Sequence, residues 1–204
     1  SLLFNSINFP ENYLKSIFDT ITMSIFASAI AISFPPFLLL ISQNKYFINF
    51  LSFIAFFLRV IPPTVIILIL LMFNEPSLSL AAITLGFYNA AITFKLLNFN
   101  LTEIDKRNYV ALKSFGRSKR SSWLIGLFMK QSKSYLAYCA YRSDILIRET
   151  AIMGVIGSIG LGWQFNEALS SFAWKEVITI LFAYSSIAII GELINGKIKD
   201  KLIK

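Results

Sequence analysis

Histidine is absent from all 204 residues. Its absence removes the commonest metal ligand and the commonest general base. Cysteine occurs once, at Cys139, so no internal disulfide can form. Charge is scarce: Asp, Glu, Lys and Arg make up 15% of the chain, against roughly 25% in soluble domains. A soluble fold of this length needs far more charge to cover its surface. No internal repeat, linker or low-complexity segment is visible, so one domain is the simplest account. No signal peptide is recognisable, because residues 1–12 lack a basic region followed by an apolar core. The first residue is Ser1 rather than Met, and we expect further sequence upstream of it.

What fills the chain instead is apolar. Hydrophobic residues make up 56% of it, with 20 Phe, and the mean hydropathy is +0.66. These values imply an all-α integral membrane protein. The net charge of +8 gathers at the ends of apolar runs. That is a mark of membrane topology, and no nucleic-acid partner is expected. At about 20 residues per crossing, five spans are expected. They are Tyr13–Ser42, Tyr46–Phe73, Leu78–Leu101, Tyr135–Gly160 and Lys175–Gly196. Pro35-Pro36 should kink or terminate the first, and Arg59 with Pro62-Pro63 interrupts the second. Lys95 lies close enough to the end of the third to snorkel. Trp123–Gln131 reads as a separate short apolar piece. Residues 161–174 read as non-spanning, with Trp163 and Trp174 as interface anchors. The expected division is an N-terminal segment over 1–12 and a transmembrane domain over 13–204.

The long polar stretch Leu101–Ser122 organises the rest. It carries Lys106, Arg107, Lys113, Arg117, Lys119 and Arg120 against Glu103 and Asp105. Loops rich in Lys and Arg stay in the cytoplasm. The Lys45 turn and the tail with Lys197, Lys199, Lys201 and Lys204 then share that side, leaving Lys15 and Lys175 opposite. The expected orientation is N-terminus out and C-terminus in, in the inner (cytoplasmic) membrane, with a cytoplasmic loop over 102–121. Tyr109, Leu112 and Phe115 give a short helix in this loop an apolar side that a partner cleft can bury. Lys113, Arg117 and Arg120 rim it, and Gly116 ends it. A solvated charge run or lipid-headgroup contact is the other reading of the loop.

Tyr141–Gly162 sits badly in a bilayer. Arg142, Asp144, Arg148 and Glu149 fall within eight residues, and each is costly at a helix centre. Asp144 and Arg148 are four apart and share a helix face; Arg142 and Glu149 are seven apart and share another. Either the four form structural ion pairs, or one Arg faces a water-filled pathway and meets an anion. Gly154, Gly157, Gly160 and Gly162 follow, and read as close helix packing together with a bend lining a cavity. Arg59 and Pro62 mark a second break, read either as a simple kink or as a bend lining a pathway. Arg59, Pro62, Arg142, Asp144, Arg148, Glu149, Gly154, Gly157 and Gly160 are therefore the pathway or gate candidates. No metal-ligand cluster, paired-carboxylate or nucleophile–base spacing appears, so an enzyme is disfavoured.

Val110–Ser118, VALKSFGRS, resembles the coupling loop of binding-protein-dependent ABC importer permeases. Tyr141-Arg142-Ser143-Asp144-Ile145-Leu146-Ile147-Arg148, followed by Gly154–Gly160, resembles a Y-R-x-E-x-x-x-R and Gly-rich signature of the phosphonate branch. Leu58–Pro62 resembles an R-x-I-P element of the same branch. Val110 stands where the loop motif has Glu, and Asp144 where the signature has Glu. The resemblance implies a five-span type I importer permease core that works as a homodimer. It implies two ATPase subunits that carry the ATP and Mg, and a periplasmic or extracellular solute-binding protein. No cofactor is expected in this chain. Tyr109, Ala111, Leu112, Phe115, Gly116 and Arg117 would couple it to the ATPase. The implied cargo is a phosphorus oxyanion, phosphonate or phosphite. A passive channel, a structural membrane subunit, or a permease for another small solute are the alternatives.

Overall fold

The structure, a computed structural model, describes residues 12–41 and 44–203. Apart from Asn12, the expected N-terminal segment lies outside the described residues, as do Ser42, Gln43 and Lys204. Among the described residues all regular structure is helical. The helices are α1 (Tyr13–Ile41), α2 (Lys45–Val60), α3 (Pro63–Leu71), α4 (Leu78–Glu103) and α5 (Arg107–Ser114). They continue with α6 (Lys119–Trp123), a π-helical turn (Leu124–Phe128), α7 (Met129–Gly157), α8 (Gly160–Ser170) and α9 (Trp174–Ile203).

Among the described residues three helices are long and apolar enough to cross a membrane: α1, α4 and α9. The number rises to five if each of two bent pairs is one span. The first pair is α2 with α3, bent by 91° at Ile61-Pro62. Proline has no N–H to continue α2, yet its fixed φ suits the start of a helix, and Pro63 opens α3. The second pair is the helix over Lys119–Gly157 with α8, bent by 59°. Here the expected separation of Trp123–Gln131 from a span beginning at Tyr135 is corrected. The chain stays helical throughout, because the polar run KQSKS (130–134) contains no Gly or Pro to break it. Lys130, Lys133 and Ser134 sit on its exposed side.

Of the two outcomes expected at Pro35-Pro36, a kink or a helix end, the second does not occur. Helix α1 runs through both residues to Ile41 instead of terminating. Each proline removes the N–H that would bond the carbonyl four residues earlier. Those carbonyls belong to Ala31 and Ile32, and both find partners on other helices. The Thr93 hydroxyl on α4 donates to Ala31 O at 2.7 Å, and the Tyr135 hydroxyl on α7 donates to Ile32 O at 2.7 Å. The two bonds tie three helices together at the level of the break.

The core forms around α1 and α4. The buried face of α1, Ser16, Thr20, Met23, Ala27, Ala31, Pro35 and Leu39, recurs at steps of three and four residues. Its small members let α4 approach closely. Helices α7 and α9 run antiparallel, with Ser143 near Ile194 and Val155 near Leu181 along the grooves between them. Arg120 Nη2 donates to Ile41 O at 3.5 Å, which brings the 101–122 segment to the same end of the bundle as the Lys45 turn. The course of α9 returns the Lys197–Lys201 tail to that end as well. The three basic regions thus gather at one end. Tyr13, α8 and the start of α9 meet at the other, where Leu161 N–H donates to Thr20 Oγ1 at 3.0 Å.

Candidate functional site

The basic hairpin is built by short-range hydrogen bonding. Asp105 Oδ1 accepts from Arg107 N–H at 3.0 Å, and Asp105 Oδ2 from Arg107 Nε at 2.8 Å, at the start of α5. The Arg107 backbone N–H is the largest influence holding the Asp105 carboxyl below its usual range. Helix α5 stops at Gly116, whose φ of +79° is costly for any residue with a Cβ. Gly116 N–H donates to Lys113 O at 3.1 Å and Arg117 N–H to Leu112 O at 3.3 Å, closing the last turn. Ser118 then starts α6 by accepting from Ser121 N–H at 3.3 Å.

The apolar residues of α5 divide between two surroundings. Tyr109 is half-buried against this chain's own core, and Leu112 is half-buried. Phe115 is 85% exposed and Val110 60%. Ala111 and Arg117 are exposed beside them. Beneath α5 lies Gly126, in the π-helical turn. A Cβ there would stand 2.8 Å from Tyr109 Cα, so backbone rests almost directly on backbone.

The charged stretch lies midway along α7, and both expected pairs form. Arg148 Nη2 meets Asp144 Oδ2 at 3.0 Å, and Arg142 Nη2 meets Glu149 Oε1 at 3.6 Å. Two further residues complete the arrangement. Asn89, fully buried on α4, donates its amide to Glu149 Oε2 at 3.0 Å. Its amide oxygen accepts from Arg142 Nε at 3.0 Å and also from Arg142 Nη2. On the other face Glu192 of α9 approaches Arg148 at 3.7 Å. The two pairs differ in setting. The Arg142 side chain is 12% exposed, whereas Arg148 and Glu192 are 60% and 68% exposed. Asp144 Oδ1 is buried without a hydrogen-bond partner among the described residues.

The glycines after this stretch make both a bend and a close crossing. Ser158 and Gly160 adopt positive φ, 55° and 65°, and the chain turns from α7 into α8. A Cβ on Gly160 would strike Thr20 Oγ1 at 2.6 Å. A Cβ on Gly154 would stand 3.1 Å from Gly162 Cα, so α7 and α8 touch along their backbones. Gly157 is buried near Ala81 and Ile67. At the other break, Pro62 lies in the 91° bend, and Arg59 lines a crease between α2 and α4, away from the α7 charges.

Sequence reasoning missed Asn89, Glu192 and Gly126. Asn89 and Glu192 were visible as isolated polar residues within apolar runs. Gly126 carried no signal of its own, because its role depends on a helix folded back from another part of the chain.

No family model matches the sequence. The chain is 30% identical over 175 residues to a methionine import system permease protein of Bacillus subtilis, covering 78% of this chain and 77% of that one. It is 19% identical over 194 residues to a phosphite transport system permease protein of Stutzerimonas stutzeri, covering 93% and 70%. Another protein of that organism named for phosphite transport is 26% identical over 121 residues. That match takes in 59% of this chain and 46% of the relative, less than half its length. Among solved structures, an amino acid ABC transporter superposes with a TM-score of 0.73 over 93% of both chains, at 16% identity. That likeness concerns the fold.

Proposed function

The chain belongs to the permease proteins of ABC import systems, and from that premise we propose that it forms the membrane pathway of an importer driven from the cytoplasm. Two copies enclose the pathway. Two ATPase subunits carrying ATP and Mg grip the basic hairpin, and a soluble binding protein delivers cargo from the other side. The chain itself performs no chemistry and holds no cofactor. The membrane is the cytoplasmic one, with the three basic regions inside and Lys15 and Lys175 outside.

One observation carries this reading. Phe115 and Val110 stand exposed on a short helix closed by the Gly116 turn, at the end of the bundle where the basic regions gather. An apolar tip ringed by Lys113, Arg117 and Arg120 suits an apolar cleft with an acidic rim. Substituting Phe115→Asp, or Gly116→Gln to strain the turn, should reduce ATPase co-purification and cargo-stimulated ATP hydrolysis. Undiminished coupling in both variants removes the hairpin as the grip, whereas a wild-type chain that retains no ATPase favours a passive channel or a structural subunit.

The proposed cargo is a phosphorus oxyanion, phosphonate or phosphite. Its support is the names of the two Stutzerimonas relatives, together with Arg148, whose guanidinium is largely exposed at bilayer depth. Amino acid import is the second reading, favoured by the higher identity to the methionine permease. Uptake of labelled phosphite and of labelled methionine by reconstituted complex separates the two.

A further inference from the structure

The crease between α2 and α4 forms a partly open cavity of about 310 Å³. Arg59 of α2 and Lys95 and Asn98 of α4 line it, with Phe56, Phe94 and Phe99 as walls. No carboxylate is among the lining residues. Neither cation joins any ion pair among the described residues. That sets them apart from Arg142 and Arg148, each of which has an acidic partner within the fold. Lys95 lies eight residues before the end of α4, about 12 Å along the axis at 1.5 Å per residue. Arg59 lies one residue before the end of α2, at the 91° bend. Two positive groups that share a cavity, with no counter-ion among the described residues, repel each other, and half-buried Arg59 at the bend is poorly solvated by hydrocarbon. An anion from outside the chain relieves both problems.

We infer that this cavity is a binding site for a phosphorus oxyanion, carried by an anionic phospholipid headgroup or present as a free ion. The chemistry suits a tetrahedral phosphate. A guanidinium offers two parallel donors, an ammonium adds a point charge, and the Asn98 amide supplies a further donor. The aromatic walls suit a ligand with an apolar remainder. Phe56 and Phe99 are 56% and 60% exposed, so the wall continues onto the outer surface of the bundle where acyl chains lie. A headgroup would enter sideways from the leaflet, along the crease. The inference needs only that α2 and α4 lie in the membrane, and is independent of what the permease carries.

The test uses the full chain purified from membranes, with any subunits that accompany it. In one arm, lipid retained after extensive detergent washing is extracted and identified by mass spectrometry. In the other, radiolabelled inorganic phosphate is titrated onto protein reconstituted in neutral phosphatidylcholine. Wild type should retain phosphatidylglycerol or cardiolipin, or bind phosphate saturably. Each neutralised charge should weaken binding about fivefold. Arg59→Gln with Lys95→Gln removes both charges, whereas Arg59→Lys with Lys95→Arg preserves binding. Lys95 is exposed, so Lys95→Gln alone serves if the double variant fails to fold. Retained anionic lipid identifies the headgroup as the occupant, and saturable phosphate binding without it identifies the free ion. If neither arm differs between wild type and the neutral variants, the site does not exist.

Discussion

Thr93 and Tyr135 do for α1 what its own backbone cannot. A buried carbonyl without a donor costs about 1 to 3 kcal/mol, and Pro35-Pro36 would leave two such groups on the most buried face of the helix. Thr93→Val and Tyr135→Phe should each destabilise the protein by about 1 to 2 kcal/mol, read as a lower Tm in detergent. A cycle isolates the cause. With Pro35→Ala, the restored N–H occupies Ala31 O, and Thr93→Val should lose much of its effect; an undiminished effect would mean that Thr93 stabilises by packing alone. The two arginines of α7 should likewise separate. Glu149→Gln leaves the largely buried Arg142 without its counter-charge, at a cost of about 3 kcal/mol or more. Arg148→Gln made together with Asp144→Asn removes the more open pair without stranding the Asp144 carboxylate, whose side chain is only 14% exposed, and should change stability by about 1 kcal/mol or less. If Arg148 meets the passing anion, the same double variant lowers uptake while the complex stays assembled. Both α7 ion pairs were legible in the residue spacing, because i,i+4 and i,i+7 partners lie on a common helix face. Asn89, which bridges Arg142 and Glu149 from α4, was not, because it depends on how two distant helices align.

The α5 element reads as a docking helix in sequence, and its Phe115 is exposed. Its foundation is less visible. The π-helical turn beneath it widens the helix where α5 crosses, and Gly126 leaves only its backbone there. Movement imposed on α5 would therefore reach α7, which carries the charged stretch, without a soft side-chain layer between them. Gly126→Ala places a Cβ 2.8 Å from Tyr109 Cα and 2.9 Å from Tyr109 N, so α5 must lift. The chain should still fold, at a cost of about 1 to 3 kcal/mol. Coupled uptake should fall several-fold while cargo-independent ATP hydrolysis persists. Gly196→Ala, where nothing lies within 4 Å, is the matched control and should be silent. Equal behaviour of the two variants would show that α5 does not act through this contact. The straight spans were the easiest elements to read: Tyr13–Ser42 was expected against Tyr13–Ile41 observed, and Leu78–Leu101 against Leu78–Glu103. The broken spans were harder, since hydropathy records that a stretch is apolar and says little about the angle at a Pro or Gly pair.

Seen as a whole, the bundle exposes unequal surfaces. Helix α4 is its central strut, with 61% of its most apolar window buried, whereas only 11% of the corresponding window of α9 is buried. The outer side of α2 is rich in phenylalanine, with Phe53, Phe56 and Phe57 each at least 50% exposed, a surface that suits lipid. The outer side of α9 carries a different feature. Arg148 and Glu192 form an open pair there, at 60% and 68% exposure, at a depth where hydrocarbon would solvate neither. Polar groups so placed belong against protein or along a water-filled route, and in the proposed homodimer a two-fold axis beside α9 provides both. An interface between like copies brings equivalent residues together near the axis. Ile189 and Leu193 flank Glu192 on the same helical face and are 58% and 61% exposed. In native membranes, Ile189→Cys and Leu193→Cys should give disulfide-linked dimers on mild oxidation. Phe53→Cys, equally exposed on α2 at 61%, should not. The native Cys139 is 1% exposed and adds no background. Cross-linking through α2 alone would move the interface to that side and return the Arg148–Glu192 pair to the exterior, where its solvation would need a different partner.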